Sequence, residues 1–113
     1  MTPMEKKDLE SIVRVIAQCS KVESAILFGS RAKGNHRESS DWDIALKGPE
    51  LSISDVLSIQ VQMDDLWLPT AVDILIYDSI QNPALLDHID RVGVLVWSRN
   101  PALADFKEIP ENA

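Results

Sequence analysis

The hydrophobic residues of the chain alternate between helical and strand-like spacing. Near the N-terminus they recur every three or four positions, at Leu9, Ile12, Val13 and Ile16. This spacing predicts a helix with one apolar face that ends near residue 18. Thr2 is suited to cap it, with Pro3 in the first turn and Glu5 as the capping-box partner. Short apolar runs predict strands at residues 25–28, 41–46, 71–77 and 93–97.

Further helices are predicted at about residues 30–33, 52–66 and 83–90, the second beginning at Ser52 or Ser54. The residues expected on its inward face are Ile53, Val56, Leu57, and Val61 or Met63. The order α-β-α-β-α-β-α-β favours one α/β domain over residues 1–97, with a short mixed β-sheet and flanking helices. Residues 98–113 contain two prolines and are expected to be a loosely ordered or partner-contacting tail.

Composition narrows the class of protein. The 113 residues are 45% hydrophobic and carry 11 basic against 18 acidic side chains, a net charge of −7. This balance argues against a general nucleic-acid binder and against electrostatic attachment to a membrane. Cys19 is the single cysteine, so an internal disulfide is excluded. No apolar run approaches the roughly 20 residues of a membrane span, and the N-terminus lacks a secretory signal. We expect a cytoplasmic domain.

The basic residues are concentrated just before the acidic part of the chain. Arg31, Lys33 and Arg37 lie within seven positions of each other and directly follow Gly29-Ser30 at the end of the first predicted strand. A glycine there allows a ligand close to the backbone, and N–H groups with a serine hydroxyl suit phosphate oxygens. The alternatives are a solvated basic loop and a serine that only caps a helix.

Three acidic residues form the second candidate feature. Asp41 and Asp43 are two apart on a predicted strand, so their carboxylates share a face while Trp42 points away. Asp73 lies in an otherwise apolar strand, where a carboxylate is costly unless it is paired or metal-bound. Mg²⁺ favours a few carboxylates together with water and substrate phosphates. The alternative is the polar face of a strand.

The two histidines, the cysteine and two of the tryptophans give weaker indications of a functional site. His36 is expected to be a solvated loop residue, and His88 a surface or packing residue of the last helix. Cys19 is expected to be a buried or idle thiol. Trp67 and Trp97 are expected to be core or interface residues.

Together these residues resemble a known family. The segment Phe28-Gly29-Ser30-Arg31-Ala32-Lys33-Gly34 is followed by Asp41-Trp42-Asp43-Ile44 and later by Val72-Asp73-Ile74-Leu75. This pattern is similar to the nucleotidyltransferase superfamily that includes DNA polymerase beta. It most resembles the minimal nucleotidyltransferase (MNT) antitoxins, whose partners in two-gene modules are small helical HEPN toxins, usually RNases. The resemblance covers about residues 9–97.

The resemblance implies a site and a reaction. Asp41 and Asp43 would hold Mg²⁺, with two ions expected, and Asp73 would complete the site near the acceptor hydroxyl and help to remove its proton. Gly29 and Ser30 would bind the phosphates of ATP, with Arg31 neutralising charge there. The reaction implied is Mg²⁺-dependent transfer of AMP from ATP, with pyrophosphate as the leaving group.

The resemblance also implies the acceptor. In the antitoxin family AMP goes to a hydroxyl, expected to be a tyrosine, on a HEPN toxin encoded by an adjacent gene. The chain is then expected in a hetero-oligomer that contacts neither nucleic acid nor membrane directly. The alternative is an antitoxin that neutralises the toxin by binding alone.

Overall fold

The elements follow the predicted order in a computed structural model that describes residues 1–37 and 39–100. They are α1 (Pro3–Ala17), β1 (Ser24–Phe28), α2 (Gly29–Lys33), β2 (Trp42–Lys47), α3 (Ile53–Asp64), β3 (Val72–Ile76), a 3-10 turn (Tyr77–Ser79), α4 (Pro83–Val92) and β4 (Val94–Ser98). Most of the predicted tail lies outside the described residues. Among the described helices, none has the length and apolar character needed to cross a bilayer.

The four strands form the predicted mixed sheet. Their order is β3-β2-β1-β4, with β1 antiparallel to both neighbours and β2 parallel to β3. Helices α1 and α3 cover one face, where Trp42, Ile44 and Leu27 are buried in the main core. Helix α4 packs against β1 on the other face, in a smaller cluster with Phe28 and Ala45. Because strand side chains alternate, Asp43 and Asp73 project on the α4 side.

Local capping sets where two helices begin. Thr2 Oγ1 accepts a hydrogen bond from the Glu5 amide at 3.2 Å, and a Glu5 carboxylate oxygen accepts one from the Thr2 amide at 3.0 Å. This is the capping box that the sequence predicts. Helix α3 begins with the same motif at Ser52 and Asp55, so Ser52 is the cap and Ser54 is not.

The inward face of α3 differs from the prediction. Met63 is buried and Val56 packs against the core, as predicted, and Ile59, which was not predicted, is also buried. Ile53, Leu57 and Val61 are instead 74%, 60% and 62% exposed. Helix α3 has apolar residues on two sides, so its rotation about its own axis is set by its contacts with the sheet. The Gln60 amide donates to the Val72 carbonyl at 3.0 Å and accepts from the Ile74 amide at 3.2 Å. The Gln60 side chain thus hydrogen-bonds the open edge of β3. This contact orients α3 so that Ile53, Leu57 and Val61 face outward.

The described fold continues past the predicted boundary at Trp97. Ser98 pairs with Ser24 in the sheet. The Arg99 guanidinium donates to the carbonyls of Val22 at 3.0 Å and Cys19 at 2.9 Å, just after α1 ends. A guanidinium there donates to carbonyl groups of the segment that follows the helix end.

Candidate active site

Strand pairing brings the predicted site residues together at one point. Asp43 and Asp73 are direct register partners in the parallel pair β2–β3. Asp43 also lies opposite Phe28, the last residue of β1, so the Gly29-Ser30 turn begins beside it. Asp41 immediately precedes β2 and is exposed. The end of β1 therefore meets the acidic residues of β2 and β3, as the sequence predicts.

Gly29 is required at this point for two reasons. Its φ is +73°, in the region that L-residues with a side chain rarely adopt. A Cβ atom at this position would lie 2.3 Å from Asp43 Oδ2, closer than any real contact. The absent side chain therefore leaves the space in which the Asp43 carboxylate sits against the turn.

The carboxylates of the site repel one another. Burial raises the pKa of Asp43, and the nearby charges of Asp73 and Asp41 raise it further. Within residues 1–37 and 39–100, no three His, Cys, Asp or Glu side chains form a ready-made metal cage. Mg²⁺ needs no such cage, because it takes one or two carboxylates and completes its shell with water and phosphate oxygens. The donor set of Asp41, Asp43 and Asp73 therefore fits this ion.

The ion pair and hydrogen bonds of Arg31 lie away from the carboxylates of Asp41, Asp43 and Asp73. It is 2% exposed, and its Nη1 lies 2.7 Å from Glu5 Oε2 on α1. Its Nε donates to the Ser40 carbonyl at 2.9 Å, and the guanidinium stacks 3.9 Å from the centroid of the Trp42 ring. The side chain holds α2 against α1 and against the loop that leads to Asp41. A phosphate contact does not fit this buried position, and Arg31 is therefore not a phosphate-binding residue of the site.

The other two residues of the basic cluster remain accessible. Lys33 is exposed at the end of α2, and Arg37 is exposed in the loop after it. The sequence favoured Arg31 over these two as a phosphate contact. Burial reverses that order, because a guanidinium enclosed by protein partners is not available to a ligand.

His36 is not the solvated residue that the sequence predicts. Its side chain is buried, and Nε2 is hydrogen-bonded to Glu5 Oε2. Burial alone raises the pKa of Glu5, but hydrogen bonds from Thr2 and His36 lower it to about 2. Glu5 therefore caps α1 with one oxygen and holds two basic side chains with the other. The sequence revealed only the first of these roles.

His88 lies at the site, where the sequence gave no sign of it. The Gly29 amide donates to His88 Nε2 at 3.2 Å, across 59 positions of the chain. The His88 ring also packs edge-on against Phe28, with 6.2 Å between ring centroids. Only the packing of α4 onto β1 brings these residues together, so no local pattern could have identified the contact.

The remaining candidates lie outside the site. Cys19 is partly buried against the main core, and so is Trp97. Trp67 differs from it: its side chain is 90% exposed, and its backbone is left-handed with φ +53°. Trp97 therefore packs against the core as predicted, while the Trp67 side chain is accessible on the surface.

Comparison with known proteins identifies the family. Residues 10–102 match the model described as polymerase beta, nucleotidyltransferase. A Methanocaldococcus jannaschii protein, named as a candidate protein adenylyltransferase, is 30% identical over 86 residues, covering 75% of this chain and 87% of that protein. The chain therefore belongs to the polymerase beta nucleotidyltransferase family.

Solved structures place the fold among minimal nucleotidyltransferases and their toxin–antitoxin complexes. A toxin–antitoxin structure with AMP-PNP aligns with a TM-score of 0.68 and 21% identity, over 83% of this chain and 76% of that one. A tri-AMPylated Shewanella oneidensis HEPN toxin in complex with MNT antitoxin gives 0.62 and 19%, over 82% and 71%. A candidate minimal nucleotidyltransferase gives 0.59 and 24%, over 80% and 91%.

Proposed function

We propose that this protein is an antitoxin that transfers AMP from ATP to a tyrosine hydroxyl of a HEPN-type RNase toxin encoded by an adjacent gene. The observation that carries the proposal is the register pairing of Asp43 with Asp73 beside the Gly29-Ser30 turn. The names of the related adenylyltransferase and of the AMPylated toxin complex support the choice of AMP and of the partner. Transfer of AMP to the toxin then blocks its RNase activity.

Each residue of the proposed site has a part in the transfer. Asp41 and Asp43 would hold Mg²⁺, and Asp73 would complete the set and accept the proton of the acceptor hydroxyl. The hydroxyl oxygen bonds to the α-phosphorus as the bond to the β-phosphate bridging oxygen breaks, and pyrophosphate leaves. Gly29 and Ser30 position the β- and γ-phosphates. When bound, Mg²⁺ supplies the positive charge that offsets the triphosphate and stabilises the transition state.

Electrostatics supports the requirement for a cation. Three carboxylates beside one another would repel a triphosphate, and burial together with the charges of Asp73 and Asp41 already raises the pKa of Asp43. Arg31 is paired with Glu5 and does not neutralise this charge. The exposed Lys33 and Arg37 remain as cationic side chains near the turn. A divalent cation bound with the nucleotide resolves the repulsion.

The charge of the whole chain supports a basic partner. The net charge is −7, and 14 of the 18 acidic residues follow residue 37. A toxin that binds RNA has a positive surface, which an acidic protein matches. Complementary charge steers association more than it sets affinity, so we expect toxin binding to slow as salt increases.

The test uses ATP labelled at either the α- or the γ-phosphate. The full chain is incubated with Mg²⁺ and the product of the adjacent gene, and the partner is analysed by intact mass and by label. We expect one or more AMP mass increments, with label carried over only from α-labelled ATP. The D41N/D43N double variant should abolish transfer, whereas Glu50→Gln, at an exposed carboxylate beyond β2, should leave it unchanged.

Two results would change the assignment. Transfer that persists in D41N/D43N would contradict the metal-binding role of these residues. A wild-type protein that transfers no label but still binds and inhibits the partner would be an antitoxin that acts by binding alone.

A further inference from the structure

His88 holds a backbone group that the five-residue helix α2 leaves open. Gly29 is the first residue of α2, and Phe28 at its N-cap provides no side-chain hydrogen bond. The first amides of a helix have no partner within it, and a half-buried one must find another acceptor. The Gly29 amide finds it in His88 Nε2, at 3.2 Å. A side chain of α4 thus performs the capping role that the local sequence lacks.

The direction of this bond sets the state of the imidazole. A backbone N–H can only donate, so His88 Nε2 must accept and its proton must lie on Nδ1. The ring is further oriented by its edge-on contact with Phe28, the residue just before the turn. His88 therefore touches both residues at the junction of β1 and α2.

This junction is where a small displacement matters most. Because Gly29 has no side chain, its backbone lies directly against Asp43 Oδ2. Asp43 is in turn the register partner of Asp73. Movement of the turn changes its distance to both carboxylates at once. With its amide held by His88, Gly29 contributes close approach of the backbone to a ligand.

We propose that His88 is a positioning residue, whose Nε2 fixes the Gly29 amide and so places the Gly29-Ser30 turn against Asp43. Its bearing on catalysis rests on the proposed nucleotidyl transfer. The hydrogen bond itself does not, and it can be tested without nucleotide or partner.

The first test is an NMR measurement on the uniformly ¹⁵N-labelled wild-type protein. An N–H···N hydrogen bond produces a scalar coupling between its two nitrogens, so we expect a cross-peak between Gly29 N and His88 Nε2. The His88 nitrogen shifts should report protonated Nδ1 and unprotonated Nε2. Absence of the coupling together with the opposite tautomer would overturn the proposal.

The second test compares two substitutions of similar size. Gln Oε1 occupies nearly the same place as His Nε2 and accepts a hydrogen bond, so His88→Gln should keep kcat for AMP transfer within about threefold. His88→Leu fills the space against Phe28 but provides no acceptor, and kcat should fall about tenfold or more. Affinity for the toxin should be unchanged in both, because His88 acts on the turn.

The results separate this role from packing and from failure of the proposed function. Equal kcat for His88→Leu and the wild type would overturn the positioning role, as would loss of activity in His88→Gln and not in His88→Leu. If the wild type transfers no AMP, the proposed function fails, while the Gly29–His88 coupling still decides whether His88 fixes the turn. The same coupling decides it if His88→Leu does not fold.

Discussion

The buried charge network around Glu5 gives a stability prediction that can be worked from the structure. Glu5 Oε2 is 2.7 Å from Arg31 Nη1 and is also bonded to His36, and all three side chains are enclosed. We expect Glu5→Gln to lower the free energy of unfolding at pH 7. Gln can keep the cap on the Thr2 amide, but it removes the charge that pairs with the buried Arg31 guanidinium.

The magnitude follows from the pKa of Glu5. Hydrogen bonds lower that pKa from 4.5 to about 2 despite the opposing effect of burial. Each pH unit between the folded and unfolded pKa values is worth about 1.4 kcal/mol, so the difference contributes at most about 3.5 kcal/mol. Because Gln keeps some of the hydrogen bonds that Glu5 forms, we expect a loss of about 1–2 kcal/mol.

The sign of the pH dependence is fixed by the direction of the shift. A carboxyl group with a lowered folded pKa stabilises the fold above its unfolded pKa, and this stabilisation is lost as pH falls toward the folded value. The wild type should therefore exceed Glu5→Gln in stability at pH 7, and the gap should narrow between about pH 5 and pH 2. The other carboxylates titrate in both proteins, so their contribution cancels when the two free energies of unfolding are subtracted.

Urea unfolding followed by circular dichroism, at pH 7 and at steps down to pH 3, measures this gap. Asp87→Asn is the control, because Asp87 pairs with Arg91 at 2.8 Å on the exposed surface of α4. That substitution should change stability by less than about 0.5 kcal/mol at every pH. A gap between the wild type and Glu5→Gln that stays constant from pH 7 to pH 3 would refute the role of the Glu5 charge.

Three further predictions follow from the geometry. Gly29→Ala should destabilise the protein in urea unfolding by more than the roughly 1–2 kcal/mol that positive φ alone costs, because a Cβ at this position also meets the Asp43 carboxylate; a loss within that range would contradict this contact. Asp43→Asn should be at least as stable as the wild type without metal, since it removes repulsion, yet should lose the rise in melting temperature that Mg²⁺ with a non-hydrolysable ATP analogue gives the wild type; a retained rise would exclude Asp43 as a ligand. Leu57→Ala should cost less than about 0.5 kcal/mol and Ile59→Ala about 2–5 kcal/mol, and the reverse order would restore the predicted face of α3.

The parts of the fold that local rules govern could be predicted from the sequence. The cap at Thr2 depends on residues three positions apart and forms as expected, and of the two candidate caps of α3 it is Ser52 that forms. Strand alternation predicted a shared face for Asp41 and Asp43, but β2 begins at Trp42, so Asp41 precedes the strand. The contact of Asp43 with Asp73 comes from the parallel pairing of β2 with β3, which the alternation within one strand does not specify. The rotation of α3 could not be predicted in this way, because the Gln60 amide that fixes it serves a strand edge formed 12 and 14 residues later.

The roles of single charged residues escaped the sequence for a related reason. A short basic cluster beside carboxylates is compatible with either ligand binding or an internal ion pair, and only the partner decides between them. For Arg31 the partner is Glu5, 26 residues earlier, and for His88 it is the Gly29 amide, 59 residues earlier. Neither contact leaves a pattern in the chain, because each joins elements that are distant in sequence, α1 to α2 for Arg31 and α4 to the start of α2 for His88. The carboxylates could be predicted from their spacing, whereas the side chains that hold the turn beside them could be identified only in the folded structure.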